Sequence, residues 1–439
     1  MDTIAAISTP HGIGGIAVIR LTGPDAFAIA SCHLKEPGAA HPQLFRIGNQ
    51  VIDQVIATAY HAPHSYTGDD TVEISCHGSL YIQQTLLQAL LDSGARLAEP
   101  GEFTRRAFLT GKLDLSQAEA VADLIDSTNA AAHSLAVSQL RGGYAKELET
   151  LRQQLVDLTA LLELELDFSD EDVEFADRKR LLALTQQTID RVQALRQSFR
   201  LGNALKRGVP VAIIGRPNAG KSSLLNALLH DSRALVSEIP GTTRDTIEET
   251  FVIEGTPFRI IDTAGLRQSQ DPVEQMGIQR THDTVAQADI ILYVHDATQP
   301  VSRATDDLQQ LPLNGKHLIL IYNKIDLPGA ASPEQEGSIA LSAKTGTGLD
   351  FLTQSLASIT RSDMDKAPDI LLTNARHYEA LGLVDQALQH VNEGLTEGLP
   401  ADLVVIDLRD ALHHLGTITG QVTTDEVLGT IFSRFCIGK

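Results

Sequence analysis

The first zone of the chain, residues 1 to about 117, has short alternating or apolar runs separated by Gly and Pro. Such runs are typical of strands bounded by turns. The predicted strands are Ile4–Ser8, Gly15–Leu21, Gln54–Tyr60 and Thr71–His77. Leucines that recur at helical spacing predict a helix over Leu80–Ser93. This zone is therefore predicted to be an α/β or α+β domain.

From about Ser116 the pattern changes to long stretches rich in Ala, Leu, Gln and Glu, each with a helical stripe of apolar residues. Ser116 is followed three residues later by Glu119, which predicts a capping box at the start of the first helix. A loop is predicted over Ser362–Pro368, and helices return after it. The predicted helices are Ser116–Gln139, Lys146–Leu166, Arg178–Leu205, Asn374–Glu393, Pro400–Thr417 and Thr424–Phe432.

A strand–loop–helix pattern lies between the two helical segments, with a strand over Val209–Ile214 and a helix over Ser223–Leu229. The loop between them has a Gly, four residues and then Gly-Lys-Ser, the spacing of a phosphate-binding loop. Backbone N–H groups of such a loop and of the helix that follows point at phosphates. Lys221 is predicted to neutralise the β- and γ-phosphates, and the Ser222 hydroxyl is predicted to bind Mg²⁺.

Three further signals each follow a predicted strand and select the nucleotide. They are Asp262-Thr263-Ala264-Gly265 after Phe258–Ile261, Asn323-Lys324-Ile325-Asp326 after Leu318–Tyr322, and Ser342-Ala343-Lys344 after Ser338–Leu341. Asp262 is predicted to hold Mg²⁺ through water, and the Gly265 N–H to meet the γ-phosphate. Asp326 can accept two hydrogen bonds from the N1–H and exocyclic amine of guanine, a donor pair that adenine lacks. The chain is therefore predicted to bind GTP.

Thr243, in the segment Gly241–Asp245, is predicted to close onto Mg²⁺ when the γ-phosphate is present. The segment 342–344 is predicted to pack on the base. Each short motif alone is also compatible with an ordinary turn. All of them occur in order at strand ends within about 130 residues, which together indicate a GTPase.

Composition limits the function further. A length of 439 residues suggests two to four domains, and a net charge of -21 argues against a broad basic surface that grips nucleic acid. Cys32, Cys76 and Cys436 are too few for a disulfide framework and fit a reducing cytosol. No apolar run reaches membrane-span length, and no signal peptide is evident, so a cytoplasmic protein without membrane association is expected.

The domains are predicted at residues 1–117, 118–207, 208–360 and 361–439. The second and fourth are helical, and they flank the nucleotide domain on both sides. Termini of compact domains often lie close together, which makes the insertion of one domain into another feasible. The two helical segments are therefore predicted to form one discontinuous bundle that carries the GTPase domain.

The chain resembles the MnmE (TrmE) family of bacterial tRNA-modifying GTPases, in the group of TrmE-Era-EngA-like GTPases, over nearly all of its length. The resemblance is carried by Asp2–Ala6, Gly14–Arg20, Gly101–Ala107, Gly111–Asp126, the GTPase signals and Phe435–Lys439. The GTPase signals alone would not separate this family from ribosome-assembly GTPases, whereas the first zone and the terminal segment do. The resemblance implies a multidomain α/β architecture: an N-terminal α+β folate and dimerisation domain, a helical bundle and an inserted Ras-like P-loop GTPase domain.

The resemblance also implies a reaction and partners. The family forms a homodimer through its N-terminal domain and acts with the FAD-dependent partner MnmG. Together they add an aminomethyl or carboxymethylaminomethyl group to C5 of the wobble uridine of certain tRNAs, with the carbon from 5-formyltetrahydrofolate or a related folate. Carried over by motif, the folate contacts are Arg20, Glu73, Lys112 and Lys439.

Three residues whose roles are implied by the resemblance, two folate contacts and Cys436, have simpler alternatives. Glu73 could form a salt bridge on a strand face, and Lys112 could lie in a solvated turn beside Gly111. Cys436, which the resemblance implicates in tRNA modification, could be a small core residue. We hypothesise that Cys436 faces the folate site and the uridine.

The mechanism of hydrolysis departs from that of many Ras-like proteins, because Leu266 stands where a water-orienting Gln is common. The resemblance implies a K⁺ ion that neutralises charge between the β- and γ-phosphates when two GTPase domains meet. Its implied ligands are Asn218, Ser237, Ile239 and Thr242. Glu274 matches the acid that positions water, although a surface helix residue is the alternative. Pro240 stands where the family commonly has a small residue, and it stiffens the loop that builds the cation site, which could either weaken or preorganise K⁺ binding.

The residues predicted to contact GTP, including those implied by the resemblance, are Asn218, Ala219, Gly220, Lys221, Ser222, Ser223, Ser237, Thr242, Thr243, Asp262, Thr263, Ala264, Gly265, Asn323, Lys324, Asp326, Ser342, Ala343 and Lys344. The predicted catalytic residues are Glu274, Cys436 and Lys221. The alternative function is a non-catalytic GTPase switch in ribosome assembly or stress signalling, which would neither bind folate nor use Cys436. A scaffold with a vestigial nucleotide site is disfavoured by the intact motifs.

Overall fold

The structure is a computed structural model that describes residues 2–39, 41–167, 178–231, 249–261, 274–309, 311–331, 337–365, 370–433 and 435–438. The chain divides into two compact units. The first unit comprises Met1–Asp126, Ala136–Ile189 and Ala380–Lys439. The second unit comprises Ser127–Leu135 and Asp190–Glu379. Most of the second unit is one continuous segment that interrupts the first.

The first unit contains a sheet with six strands in the described residues. The strands are β1 (Ile4–Ile7), β2 (Ile16–Thr22), β3 (Gln43–Ile47), β4 (Gln50–Tyr60), β5 (Thr71–His77) and β6 (Arg96–Leu97). Their order is β3-β4-β5-β2-β1-β6, and only β1 and β6 pair in parallel. In the register of β2 and β5, Arg20 lies directly opposite Glu73. The strand pairing therefore brings together two residues that are far apart in the sequence.

One face of this sheet is covered by α1 (Ala26–Ser31) and α2 (Leu80–Asp92). Side chains alternate between the two faces of a strand, so Ile19 and Leu21 of β2 enter the core under these helices while Arg20 points to the other face. This alternation is the reason why a charged residue can lie in the middle of a mostly buried strand.

The remaining helices of the chain before the second sheet are longer on average. They are α3 (Glu102–Leu109), α4 (Leu115–Asp126), α5 (Ala130–Leu140), α6 (Gly143–Asp167) and α7 (Arg178–Arg207). No helix in the described parts of the chain is both long enough and apolar enough to cross a membrane.

One helix was predicted over Ser116–Gln139, with a capping box at Ser116, and both predictions are wrong. The capping box lies two residues earlier: the Gln117 N–H donates to Asp114 Oδ1 at 2.9 Å, and the Asp114 N–H donates to Gln117 Oε1 at 3.0 Å. A second cap then starts α5, where Asn129 Oδ1 accepts a hydrogen bond from the Ala132 N–H at 2.9 Å. Two caps within one Ala-rich stretch divide it into two helices.

The second unit contains a sheet of the Ras-like type, again with six strands in the part that the structure describes. The strands are β7 (Val209–Ile214), β8 (Thr250–Ile253), β9 (Thr256–Ile260), β10 (Ile290–Asp296), β11 (His317–Asn323) and β12 (Ile339–Ala340). Their order is β12-β11-β10-β7-β9-β8, and all neighbours are parallel except β8 and β9.

Helices cover both faces of this sheet. They are α8 (Lys221–Asp231), α9 (Glu274–Gln287), α10 (Ser302–Leu308) and α11 (Leu349–Asp365). The strands read as nearly continuous apolar runs because both faces are buried, with Leu224 and Leu352 in one core and Val285 and Ala304 in the other. A loop was predicted over Ser362–Pro368, and its predicted first residue is wrong, because α11 continues to Asp365.

Three helices complete the chain: α12 (Ala375–Glu397), α13 (Ala401–Thr419) and α14 (Asp425–Phe432). In the first unit α13 packs along α6, and α14 packs against α3. The Thr424 side chain caps α14 by accepting a hydrogen bond from the Val427 N–H at 3.3 Å. Two parts of the chain that flank the second unit therefore pack together in the first unit.

Candidate functional site

The phosphate loop follows β7 and ends at Lys221, the first residue of α8. The Lys221 ammonium donates hydrogen bonds to the carbonyl oxygens of Gly215 at 2.8 Å and Arg216 at 2.9 Å. Burial lowers the pKa of Lys221. These carbonyl oxygens carry no formal charge, so phosphate oxygens can replace them around the ammonium at a small cost.

A single buried side chain joins the phosphate loop to the base-recognition segments. Asn323, at the end of β11, donates from Nδ2 to the Ala219 carbonyl at 2.8 Å. Its Oδ1 accepts a hydrogen bond from the Ala343 N–H at 3.0 Å. Gly220 lies against this amide: its φ is +97°, and a Cβ there would stand 2.1 Å from Asn323 Nδ2. The structure thus brings together three of the predicted motifs.

The predicted base-contact residues lie beside this joint. The Lys324 backbone has φ of 68°, and its ammonium donates to Asp296 Oδ2 at 2.7 Å. Burial opposes ionisation of Asp296, but the hydrogen bond from Lys324 holds the pKa of that carboxyl below its usual value. Ser342 is buried, whereas Asp326 and Lys344 are exposed. An exposed carboxylate at Asp326 is available for a base.

The remaining loop residues fit a nucleotide. Asn218 is exposed with φ of 61°, and Ser222 and Ser223 occupy the first turn of α8, the end of a helix that favours negative charge. An ammonium and a helix N-terminus that bind phosphates, together with a separate carboxylate that accepts hydrogen bonds from the base, are the groups expected for a guanine nucleotide. In the sequence, the nucleotide motifs were found at the ends of apolar strands. The strand order explains why they meet: the carboxyl ends of β7, β10 and β11 share one edge of the sheet.

Part of the predicted site lies outside the described residues. These residues are Ser237, Ile239, Thr242, Thr243, Asp262, Thr263, Ala264, Gly265 and Lys439, together with Pro240 and Leu266. Glu274 begins α9, and its side chain is also outside the described part of the structure.

In the first unit, Arg20 and Glu73 form an ion pair. Nε and Nη2 of Arg20 both approach Glu73 Oε1 at 2.8 Å. The guanidinium carbon lies 5.1 Å from the Tyr66 ring centre and 5.5 Å from the Phe103 ring centre. Tyr66 also shares a hydrogen bond of 2.9 Å with Thr104, and burial raises the pKa of its phenol. The sequence analysis missed both rings, although Phe103 belongs to one of the segments that carry the family resemblance.

Lys112 follows α3 in the chain. It is exposed in the turn after α3, where its backbone N–H donates to the Ala107 carbonyl at 2.8 Å. Lys112 therefore lies in an exposed turn beside Gly111, where its side chain is accessible to a ligand.

The C-terminal segment 435–438, which we call the tail, lies against the first sheet. The Ser8 hydroxyl donates to the Gly438 carbonyl at 3.0 Å, and the Gly101 N–H donates to the Cys436 carbonyl at 3.3 Å. Gly438 has φ of +98°, and a Cβ there would stand 2.2 Å from the Ile7 carbonyl oxygen. The tail thus docks at the end of β1, the strand that pairs with β2 and places Ala6 opposite Arg20. Cys436 is exposed, so it is not the small core residue considered as an alternative.

Known proteins match the whole chain. The family model for the MnmE helical domain matches residues 115–436, and the model for the GTP-binding protein TrmE N-terminus matches residues 3–112. Proteins named tRNA modification GTPase MnmE from Parabacteroides distasonis, Cytophaga hutchinsonii and Porphyromonas gingivalis are 49%, 47% and 47% identical. Each alignment covers 100% of this chain, and it covers 100%, 98% and 98% of the relative.

Among solved structures, the G domain of the T. maritima FeoB iron transporter is 28% identical over 34% of this chain and 97% of that chain. Its TM-score is 0.26, so the assignment of the nucleotide unit rests on the strand order and motifs described above. Full-length relatives and family models over both units decide the family: the chain belongs to the MnmE family of tRNA modification GTPases.

Proposed function

We propose that this chain is the GTP-hydrolysing subunit of a complex that adds an aminomethyl or carboxymethylaminomethyl group to C5 of wobble uridine in tRNA, using a folate one-carbon unit. The observation that carries the proposal is the docking of the tail beside β1, next to the strand that bears Arg20. A switch that only binds partners has no need for such a second site. We further propose domains at residues 1–117, 118–207, 208–360 and 361–439.

The nucleotide site is proposed to hold GTP with Mg²⁺ bound by Ser222 and Thr243 and, through water, by Asp262. When bound, Mg²⁺ neutralises charge that develops on the phosphates. Lys221 exchanges its two carbonyl partners for phosphate oxygens, and Asp326 accepts hydrogen bonds from the guanine edge. Glu274 is proposed to orient the attacking water.

A K⁺ ion is proposed to bind Asn218, Ser237, Ile239 and Thr242 when two GTPase domains meet. What supports this is Asn218, whose amide stands exposed on the phosphate loop. When bound, the cation stabilises negative charge between the β- and γ-phosphates. Turnover of GTP should be faster in KCl than in NaCl of equal ionic strength; equal rates would remove K⁺ from the proposal.

The folate is proposed to bind at Arg20, Glu73, Lys112 and Lys439, with 5-formyltetrahydrofolate or a related form as the donor. Arg20 Nε donates a hydrogen bond to Oε1 of Glu73, and Nη2 forms its ion pair with the same oxygen. This leaves Oε2 of Glu73 to accept the amino and ring N–H donors of a pterin. Tyr66, the partly buried ring beside Arg20, can contact the flat ring system of the pterin. Arg20, Glu73 and Tyr66 therefore support folate as the ligand.

The proposed partners are tRNA, the FAD-dependent protein MnmG and a second copy of the chain. The charge of helix α7 supports the proposal that tRNA is a partner. Over 30 residues this helix has eight Lys or Arg and one acidic residue, in a chain whose net charge is -21. Ile13, Ile16 and Tyr81 support a homodimer through the N-terminal domain, because they are large apolar side chains exposed by 86%, 71% and 64%.

The test is mass spectrometry of tRNA nucleosides from cells that lack this chain, restored either with the wild type or with Lys221→Ala. We expect C5-aminomethyl-type wobble uridines to disappear in the deletion strain and to return only with the wild type. Unchanged uridines in the deletion strain would favour the partner-binding switch. Full return with Lys221→Ala would separate the modification from GTP hydrolysis.

A further inference from the structure

Besides its hydrogen bond with Asn323, the phosphate loop makes a second contact with the rest of the unit, through Arg216 at the start of the loop. Arg216 makes a bidentate ion pair with Asp307 of α10: Nε donates to Oδ2 and Nη2 donates to Oδ1, both at 2.8 Å. The two residues are 91 positions apart, so the contact exists only in the folded chain. A two-bond pair of this kind fixes both the distance and the orientation of the guanidinium.

Asp307 is itself held from the sheet. The hydroxyl of Tyr293 on β10 donates to Asp307 Oδ2 at 2.5 Å, and Tyr293 is buried. The hydrogen bonds from Arg216 are the main reason why the pKa of Asp307 lies below its usual value. Burial and the hydrogen bond to Asp307 raise the pKa of Tyr293, so its hydroxyl keeps the proton that it donates. The contacts within the group therefore favour an ionised Asp307 and a protonated Tyr293.

We propose that Arg216, Asp307 and Tyr293 form a positioning brace that holds the phosphate loop in the shape that binds nucleotide. The proposal concerns GTP and GDP binding alone and does not depend on the folate or the tRNA. None of the three side chains is placed on the nucleotide; the Arg216 side chain is occupied by Asp307, while its backbone carbonyl accepts from Lys221.

The reason for a brace lies in the form of the loop. Between Arg216 and Ala219 the loop contains only Pro217 and Asn218, and both are exposed. Asn323 holds the loop at Ala219, and the brace holds it at Arg216. A loop fixed at both points loses less conformational entropy when phosphate binds, so the bound state is favoured. A loop fixed only at Ala219 would have to be ordered by the nucleotide.

An exposed salt bridge is often worth little, and the Arg216 and Asp307 side chains are 46% and 30% exposed. The brace differs from such a pair in its bidentate geometry and in its third member on a buried strand. Solvent screening still limits its contribution, so the expected effect on nucleotide release is moderate rather than complete.

The experiment uses the full chain and measures the release rate of fluorescent GDP together with kcat and KM for GTP. For Arg216→Ala we expect release about tenfold faster and KM raised to match, with kcat changed by less than about twofold. Tyr293→Phe should accelerate release by about threefold, because only one hydrogen bond is lost. The matched control is Arg361→Ala, which removes an exposed ion pair with Glu254 in the same unit and should leave release unchanged.

A double-mutant cycle separates the brace from a direct contact between Arg216 and nucleotide. If the brace is real, Arg216→Ala combined with Asp307→Ala releases GDP no faster than either single variant, and Arg216→Asp with Asp307→Arg regains much of the lost affinity. Asp307→Asn keeps the side-chain volume, so it serves where Asp307→Ala lowers the melting temperature. Wild-type release rates for Tyr293→Phe and Asp307→Asn, or strictly additive effects in the cycle, would overturn the proposal.

Discussion

The nucleotide unit and the N-terminal sheet each hold a cation at their proposed site, and they hold it differently. Lys221 is bonded to two carbonyl oxygens of its own loop, whereas Arg20 is bonded to the carboxylate of Glu73. Neutral carbonyl oxygens give way readily to a phosphate. A carboxylate does not, so a ligand at Arg20 must bind the ion pair as a whole. At the first site Lys221 can exchange its carbonyl partners for phosphate oxygens, whereas at the second site Arg20 and Glu73 stay paired and together contact the ligand.

The two regions also differ in how far apart their parts lie in the chain. Lys221 and Gly215 are six residues apart, and the loop between them forms with its own strand and helix. Ser8 and Gly438, which fasten the tail, are 430 residues apart. Each region contains a glycine at a position where a side chain does not fit: Gly220 in the nucleotide unit and Gly438 in the tail. Substitution of these two glycines tests the difference between the regions.

Gly220→Ala should have the largest effect. The added Cβ would stand 2.1 Å from Asn323 Nδ2 in a backbone with φ of +97°, so the joint between the phosphate loop and the base segments must open. We expect GTP affinity to fall by at least about 100-fold, with folate affinity unchanged. Equilibrium binding of fluorescent GDP and calorimetry with 5-formyltetrahydrofolate would measure the two. A parallel loss of folate affinity would show that the regions are coupled and break the comparison.

Gly438→Ala should act on the other region. Its Cβ would stand 2.2 Å from the Ile7 carbonyl oxygen with φ of +98°, so the tail must leave β1. We expect folate affinity about tenfold weaker and GTP turnover unchanged. Gly429→Ala in α14 is the matched control for both glycine variants, because a Cβ there meets no atom within 4 Å. Wild-type folate affinity in Gly438→Ala would show that the tail takes no part in the folate site.

The smallest effect concerns pH and the start of the chain. Asp2 accepts hydrogen bonds from Arg96 at 2.6 Å and Arg106 at 2.8 Å, and mainly the bond from Arg96 lowers the pKa of Asp2 to about 2. Because the folded pKa lies below the unfolded value of 3.8, this stability is present above about pH 4 and is lost as the pH falls toward 2.

Asp2→Asn should therefore flatten the loss of stability between pH 4 and pH 2, by less than about 1 kcal/mol because Asp2 is largely exposed. Urea unfolding followed by circular dichroism at both pH values would measure it, with Asp126→Asn at the exposed end of α4 as the control. The same pH dependence in Asp2→Asn and the wild type would assign no role to the ion pairs of Asp2.

The nucleotide site could be predicted because each of its motifs is a short, continuous stretch of sequence. Lys221, Asn323 and Asp326 each follow a strand that its apolar run reveals, and the parallel order of the sheet then brings the strand ends together. The link from Asn323 to Ala219 and the ion pair of Arg216 could not be predicted, since both depend on distances between residues about 100 positions apart.

The N-terminal region was harder for the same reason. Helix α3 was missed: it is short, it begins after Gly101, and it is held by ion pairs of Glu102 with Arg96 and Arg106 rather than by a long apolar stripe. The tail was linked to this region only by resemblance. Its contacts with Ser8 and Gly101 leave no periodic signal in the sequence, because they are made by single residues of loops and strand ends.

The tail has a consequence for the order in which this protein matures on the ribosome. Ser8 leaves the ribosome 430 residues before its partner Gly438, which at about 5–20 residues per second is a delay of roughly 20 to 90 s. The nucleotide unit ends at Glu379, so its synthesis is complete before Gly438 is made, while Ser8 still lacks its partner. The nucleotide unit is therefore fully synthesised in the nascent chain before the tail closes onto β1.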